Sequence, residues 1–253
     1  MLPSTTPRPR TGLTLRRLAG LLFGLPIVTS CLAMDGIEGT EQLFGVWSNV
    51  MVSGKFGHDS PWLYYGDLSL RTTETGRPFS DAGQQFQVSS VITHDAIGYR
   101  FDARQSVHLG YAFAYAIPPL AREPTNENRA WQQYTFATPT PLGNLQLRSR
   151  LEQRTVNISD STAVRFRQMV RLAYPLDDAW SLVGANELFL NLNSVDWGPA
   201  GGFDQNRVFV GVGYTFNATW RTEIGYMNQY INRDQVYDRD FNLLSLNLFV
   251  DVP

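Results

Sequence analysis

Residues 145–156 read LQLRSRLEQRTV, with Arg148, Arg150, Glu152 and Arg154 on every second position and Leu145, Leu147 and Leu151 between them. A helix would scatter these charges around its circumference. A strand gathers all four on one face and puts the leucines on the other. The pattern recurs along the chain. In 106–117, Val107, Leu109, Tyr111, Phe113, Tyr115 and Ile117 oppose Ser106, His108, Gly110 and three alanines. In 163–174, Val164, Phe166, Val170, Leu172 and Tyr174 oppose Arg165, Arg167 and Arg171. In 220–230, Trp220, Ile224, Tyr226 and Tyr230 oppose Arg221, Glu223, Gly225 and Gln229. Near the end, Leu244, Leu246, Leu248, Val250 and Val252 share one face. Period-two runs with one wholly apolar face point to an all-β fold.

Such segments fall near 44–54, 62–73, 84–101, 106–117, 128–138, 145–156, 163–175, 180–193, 204–216, 220–233 and 241–252. The third is long enough to hide a bulge or a break. Connections at 102–105, 139–144, 177–179 and 217–219 are short, whereas those at 118–127, 157–162, 194–202 and 234–240 are longer. The first hairpin, through HDSP, does not fit that alternation. Short turns at one end and longer loops at the other are the layout of an outer-membrane barrel, with the turns in the periplasm. Single-chain bacterial barrels carry even strand numbers, so the expectation is a transmembrane antiparallel β-barrel of 10 or 12 strands. Tyr174, Trp180, Phe216 and Trp220 lie on apolar faces beside short turns, the placement of an aromatic girdle at a membrane interface. The rival is a periplasmic lipocalin-like barrel, which would reverse the inward face.

The first 33 residues stand apart. Arg8, Arg10, Arg16 and Arg17 precede the short apolar run LAGLLFGLPIV and then TSCLA, the layout of a secretory signal peptide, leaving 34–253 as the barrel. Cleavage after Ala33 removes Cys31, whereas VTSC at 28–31 would make Cys31 an acylated first residue. Cys31 is the only cysteine, which excludes disulfides and cysteine metal sites from the body. Removing four arginines from 21 basic residues leaves 17 against 23 acids, a net charge near −6. Lys55 is the one lysine, so the planar arginine fork is favoured over simple positive charge. A mildly acidic chain without a basic tail argues against nucleic acid as a partner.

The chain also resembles a bacterial family of outer-membrane β-barrels classed as a domain of unknown function. The resemblance rests on LGYAFAY (109–115), NRAWQQ (128–133), RSRLEQR (148–154), NELF (186–189), FDQNR (203–207) with GVGY after it, and IGYMNQY (224–230). It implies fold, location in the bacterial outer membrane, and the barrel-assembly machinery and outer-membrane lipid as partners; it implies no activity. Asn128 replaces an acidic residue of the pattern, and the chain ends VDVP rather than in an aromatic, with Phe249 a partial substitute for that assembly signal.

With the leucines toward lipid, the charges face the lumen, because Arg on a lipid face costs about 2–4 kcal/mol at the midplane. A hairpin pairing 154 with 165 sets Glu152 opposite Arg167 and Arg148 opposite Arg171. One through 139–144 sets Glu152 beside Trp131, Arg150 beside Gln133 and Arg154 facing Arg129. Glu152 then becomes the lone carboxylate among Arg129, Arg150, Arg154, Arg165 and Arg167. Glu187, Glu223 and Asp67 also point inward, as do Arg71, Arg148, Arg171, Arg207, Arg221 and Arg233. Two roles remain open: a small pore for anionic solutes, since rings of Arg select anions, or a closed barrel serving as envelope scaffold or interaction protein. Asp160, Asp196, Asp204, Asp234 and Asp238 would cancel the positive excess if the loops fold inward. His58, His94 and His108 are far apart and share no metal spacing, and no motif supports His94 with Ser89 or Ser90. Neither catalysis nor a cofactor or metal is expected.

Overall fold

The computed structural model describes residues 39–75, 85–118, 120–121, 123–233 and 237–253; the expected signal peptide, Cys31 and Asp234 lie outside these. Each alternating segment forms one strand: β1 (Thr40–Lys55), β2 (Trp62–Thr75), β3 (Gln85–Arg100), β4 (Gln105–Ala116), β5 (Thr125–Thr140), β6 (Gly143–Val156), β7 (Ser159–Pro175), β8 (Trp180–Asn191), β9 (Gly202–Thr215), β10 (Trp220–Ile231) and β11 (Asp238–Val252). They close into a single barrel in chain order.

The strand number corrects the expectation of 10 or 12. Eleven strands that alternate in direction cannot close antiparallel throughout, and β1 pairs β11 in parallel from Thr40↔Asp238 to Gly54↔Val252. The seam is tied by side chains as well as backbone. Asn49 Nδ2 donates to Asn247 Oδ1 at 2.7 Å, Ser53 Oγ to Asp251 Oδ1 at 2.6 Å, and Arg239 Nε to Glu41 Oε2 at 3.0 Å. An odd count also places the start of β1 and the finish of β11 at opposite ends.

One end carries the connections 56–61, 101–104, 141–142, 176–179 and 216–219. The HDSP hairpin belongs here, closed by Phe56 N to Trp62 O at 3.1 Å. Three of these turns share one device. Asp102 Oδ1 accepts from Arg104 N and Gln105 N, Asp177 Oδ1 from Ala179 N and Trp180 N, and Asn217 Oδ1 from Thr219 N and Trp220 N. A short acceptor side chain thus satisfies two turn amides that no strand reaches. Gly143 supplies a φ of 115° for the tightest turn.

The opposite end carries the connections around 117–124, 192–201 and 232–237, and here one expectation fails. The segment 157–162 is not a loop: only Asn157 and Ile158 connect β6 to β7. The strand runs on through polar Ser159–Thr162, with an irregularity between Arg154 and Val156, and the register shifts by two. Glu152 therefore faces Arg165, Arg150 faces Arg167 and Arg148 faces Met169, rather than the pairs expected. The β5–β6 register is as expected, with Trp131↔Glu152, Gln133↔Arg150 and Arg129↔Arg154. The anticipated bulge in the third segment is Ser89, an extra residue between Arg71↔Ser90 and Thr72↔Val88.

Most leucines and aromatics face out and most charges face in, so the reversed, lipocalin-like orientation does not hold. Leu68, Leu109, Tyr111, Leu182, Val210, Val212, Ile224 and Leu244 are exposed on the outer wall, while Glu152, Arg150, Arg165, Arg167 and Glu187 are buried inside it. The interior also holds Trp131, seated over Gly110; a Cβ at that glycine would lie 2.3 Å from the indole. A small apolar core of Leu43, Trp47, Phe241 and Leu243 fills the side where β11 meets β1.

Candidate functional site in the barrel lumen

The inward charges form linked groups rather than one cluster. Glu152, fully buried, accepts from Arg165 Nε and NH2 through Oε2 at 3.0 and 2.6 Å, and from Arg167 NH1 through Oε1 at 2.6 Å. Arg150 lies 3.7 Å from the same carboxylate, but its Nε and NH2 bond to Gln133 Oε1 at 2.9 and 2.7 Å, and its guanidinium stacks on Trp131. Glu187 Oε1 accepts from Arg148 NH2 at 2.7 Å and Arg167 Nε at 2.9 Å. Toward the short-turn end, Arg171 and Arg221 both donate to Glu223 Oε1.

Arg129 and Arg154 do not turn to Glu152. Both bond Glu127 Oε1, at 2.8 and 2.5 Å, a carboxylate that the charge pattern did not single out. Glu152 is thus not the lone acid of its neighbourhood. A second partner comes from a bulge. The β8–β9 register slips between Phe189↔Gln205 and Leu190↔Phe203, leaving Asp204 as the extra residue. Strict alternation would aim Asp204 outward beside Asn206; the bulge turns it inward, where Oδ2 accepts from Arg165 NH1 at 3.0 Å. The loop after β8 adds Trp197, whose ring lies 5.2 Å from the Arg154 guanidinium and whose Nε1 donates to Ser161 O. Asp196 instead accepts from Ser159 Oγ in an exposed position. Glu127 and Asp204 reduce the expected cationic excess without removing it.

A second cluster needed the β2–β3 register to be seen. His94 Nδ1 lies 2.8 Å from Asp67 Oδ1, and Tyr65 Oη donates to Asp67 Oδ2 at 2.5 Å. The carboxylate fixes the imidazole as it would a general base, but no hydroxyl reaches the buried His94 Nε2 among the described residues. His108 is a wall residue over Gly98.

These side chains divide the lumen. A vestibule of about 860 Å³ opens at the short-turn end, reaching His58, Arg100 and Pro253. Another of about 890 Å³ opens at the long-loop end, reaching Ala121, Trp197 and Arg233. Both end at Trp47, Ser69 and Arg207. Across this waist Arg71 reaches from β2 to donate to Gln229 Oε1 of β10. Among the described residues no cluster of His, Cys, Asp and Glu is suited to a metal ion. On the outer wall, Trp180 and Trp220 flank the short turns with Phe216 at the turn itself, and Trp180 and Phe216 both pack on Tyr214, centroids 4.7 and 4.8 Å away. Tyr174 lies beside them, opposite Leu182, and Trp62, Tyr99 and Phe101 continue the aromatic rim.

No solved structure matches the chain. An uncharacterised protein of Methylorubrum extorquens is 32% identical over 235 residues, covering 89% of this chain and 96% of the relative. Residues 44–240, the barrel from β1 into β11, match the family described as a protein of unknown function (DUF2490), and the chain belongs to that family.

Proposed function

We propose that this is an outer-membrane barrel with its short turns in the periplasm, and that its lumen is a gated pathway for small anionic solutes, closed at rest. The membrane reading is supported by the apolar outer wall and its aromatic rim. The shortest strands have 12 residues, beyond the about 9–11 that cross a bilayer. Polar side chains on the outer wall bond one another across strands, as Ser149 with Gln168 at 2.6 Å and Asn186 with Asn206 at 3.1 Å, which lowers their cost in lipid. Asp95 is an outward carboxylate in this band; carboxylates cost less there than Arg or Lys.

The observation that carries the gated pathway is the pair of vestibules, open at opposite ends of the lumen, whose linings share Trp47, Ser69 and Arg207. That shared layer is where the gate is placed. The second reading, a permanently closed scaffold, is favoured by the Glu152–Arg167–Glu187 lattice, which ties β6, β7 and β8 together. Conductance across planar bilayers separates them. Wild type should be silent or open rarely, whereas Trp47→Ala should conduct steadily and favour anions under a salt gradient. Silence from folded, inserted Trp47→Ala would leave the scaffold.

A further inference from the structure

We infer that the waist of the lumen is a binding site for a small oxyanion, held by Arg71, Arg207 and the indole N–H of Trp47; the inference deepens the gated-pathway reading by naming what rests in it. The lumen arginines are not equivalent. Arg165 and Arg167 each have carboxylate oxygens at 2.6–3.0 Å from two acids. Arg71 is buried at 6% exposure, hydrogen-bonds the neutral Gln229, and has no carboxylate within salt-bridge distance among the described residues. Arg207 lies 3.9 Å from Glu187 Oε2, and the other oxygen of that carboxylate already serves Arg148 and Arg167.

The two under-paired guanidinia meet at one ring. Their central carbons lie 4.1 and 4.6 Å from the Trp47 centroid, with Phe241 and Phe189 stacked nearby. Stacking satisfies the faces of a guanidinium but not its N–H edges. Arg207 Nε and Trp47 Nε1 are both buried without an acceptor. Buried donors and unpaired buried charge are each costly, and a bound anion would relieve both at once. Guanidinium forks match the oxygen geometry of carboxylates and phosphates better than a halide. Both vestibules reach Trp47 and Arg207, so an anion could arrive from either side.

Titration calorimetry on the full barrel, refolded in detergent, tests this with inorganic phosphate and with acetate at constant ionic strength. One saturable site is expected. Arg207→Gln should weaken it about tenfold or more, the loss of a charge-assisted hydrogen bond. Trp47→Phe keeps an aromatic face but removes the N–H donor together with the fused five-membered ring, and should weaken binding about threefold or more. It also decides the matter if Arg207→Gln does not fold. Arg104→Gln, in an exposed turn, should change nothing. No saturable heat with either anion, or binding unaffected by both waist substitutions, overturns the site. Wild-type binding with no current through folded, inserted Trp47→Ala supports the site and removes the pathway; anion-selective current through Trp47→Ala with no wild-type binding overturns the site and leaves the pathway.

Discussion

The two sides of the lumen wall handle buried arginine by different means. On β5 to β9, guanidinium meets carboxylate: Arg129 and Arg154 share Glu127, Arg165 spans Glu152 and Asp204, and Arg167 spans Glu152 and Glu187. Where β11 meets β1, a small apolar cluster takes the place of such pairs. Leu43, Trp47, Phe241 and Leu243 pack there, and Arg71 crosses them by stacking rather than by ion pairing. Paired charges fix geometry, because each removed partner strands another charge in a dry site. Stacked ones leave hydrogen-bonding edges free. The same residue type therefore serves as mortar on one side of the barrel and as an available ligand on the other.

The largest effect should come from the paired side. Glu152→Gln keeps the shape and leaves Arg165 and Arg167 short of a counter-charge, so the refolded barrel should lose about 3–5 kcal/mol in urea titration. A loss under about 1 kcal/mol, the range of exposed pairs, would mean that water reaches this lattice and that the two sides differ little.

Matched substitutions sharpen the contrast. Arg167→Met removes the cation that Glu152 and Glu187 share, leaving Glu152 to Arg165 and Glu187 to Arg148, and should cost a similar amount. Arg71→Met strands no carboxylate, and the thioether can pack on Trp47 and Phe241, so stability in anion-free buffer should stay within about 1.5 kcal/mol of wild type or rise. If the two variants unfold at the same urea concentration, the distinction between mortar and ligand fails.

How legible this was in the sequence depends on where alternation stays regular. A hairpin through the 139–144 turn, with parity in support, set the β5–β6 pairs of Glu152 with Trp131 and Arg150 with Gln133, because that turn is tight and neither strand bulges. The hairpin placed at 157–162 failed for β6–β7, where polar NISDST has the composition of a loop yet mostly extends the strand; the shift of two kept parity and changed only the partners. Asp204 was seen only as a loop acid, since a bulge re-aims a side chain without leaving a compositional mark. Asp67 was placed inward, but its pairing with His94 required the β2–β3 register, itself shifted by Ser89. The count of eleven was present in the segments; the even number came from a rule about barrels whose closing strands run antiparallel. Arg71 was recognised as inward, but only the cross-lumen packing shows that it lacks a carboxylate.

The smallest expected effect lies outside the lumen, in two turns that solve one problem with and without charge. Asp177 accepts from Trp180 N and Ala179 N; Asn217 does the same for Trp220 N and Thr219 N. Those two amides hold the Asp177 carboxyl below its usual range. A depressed folded value contributes stability above the unfolded pKa, and that contribution is lost as pH falls through the folded one. Asp177→Asn copies the Asn217 turn and cannot titrate. The wild-type advantage in urea midpoint should therefore be constant above about pH 5 and shrink below about pH 4, where an unfolded carboxyl protonates. Because every other carboxylate is common to both proteins, the difference between the two curves isolates the turn. A difference independent of pH down to 3 would show that the amides bind the Asp177 oxygen no better when it is charged, and that the two turns are equivalent in energy as well as in shape.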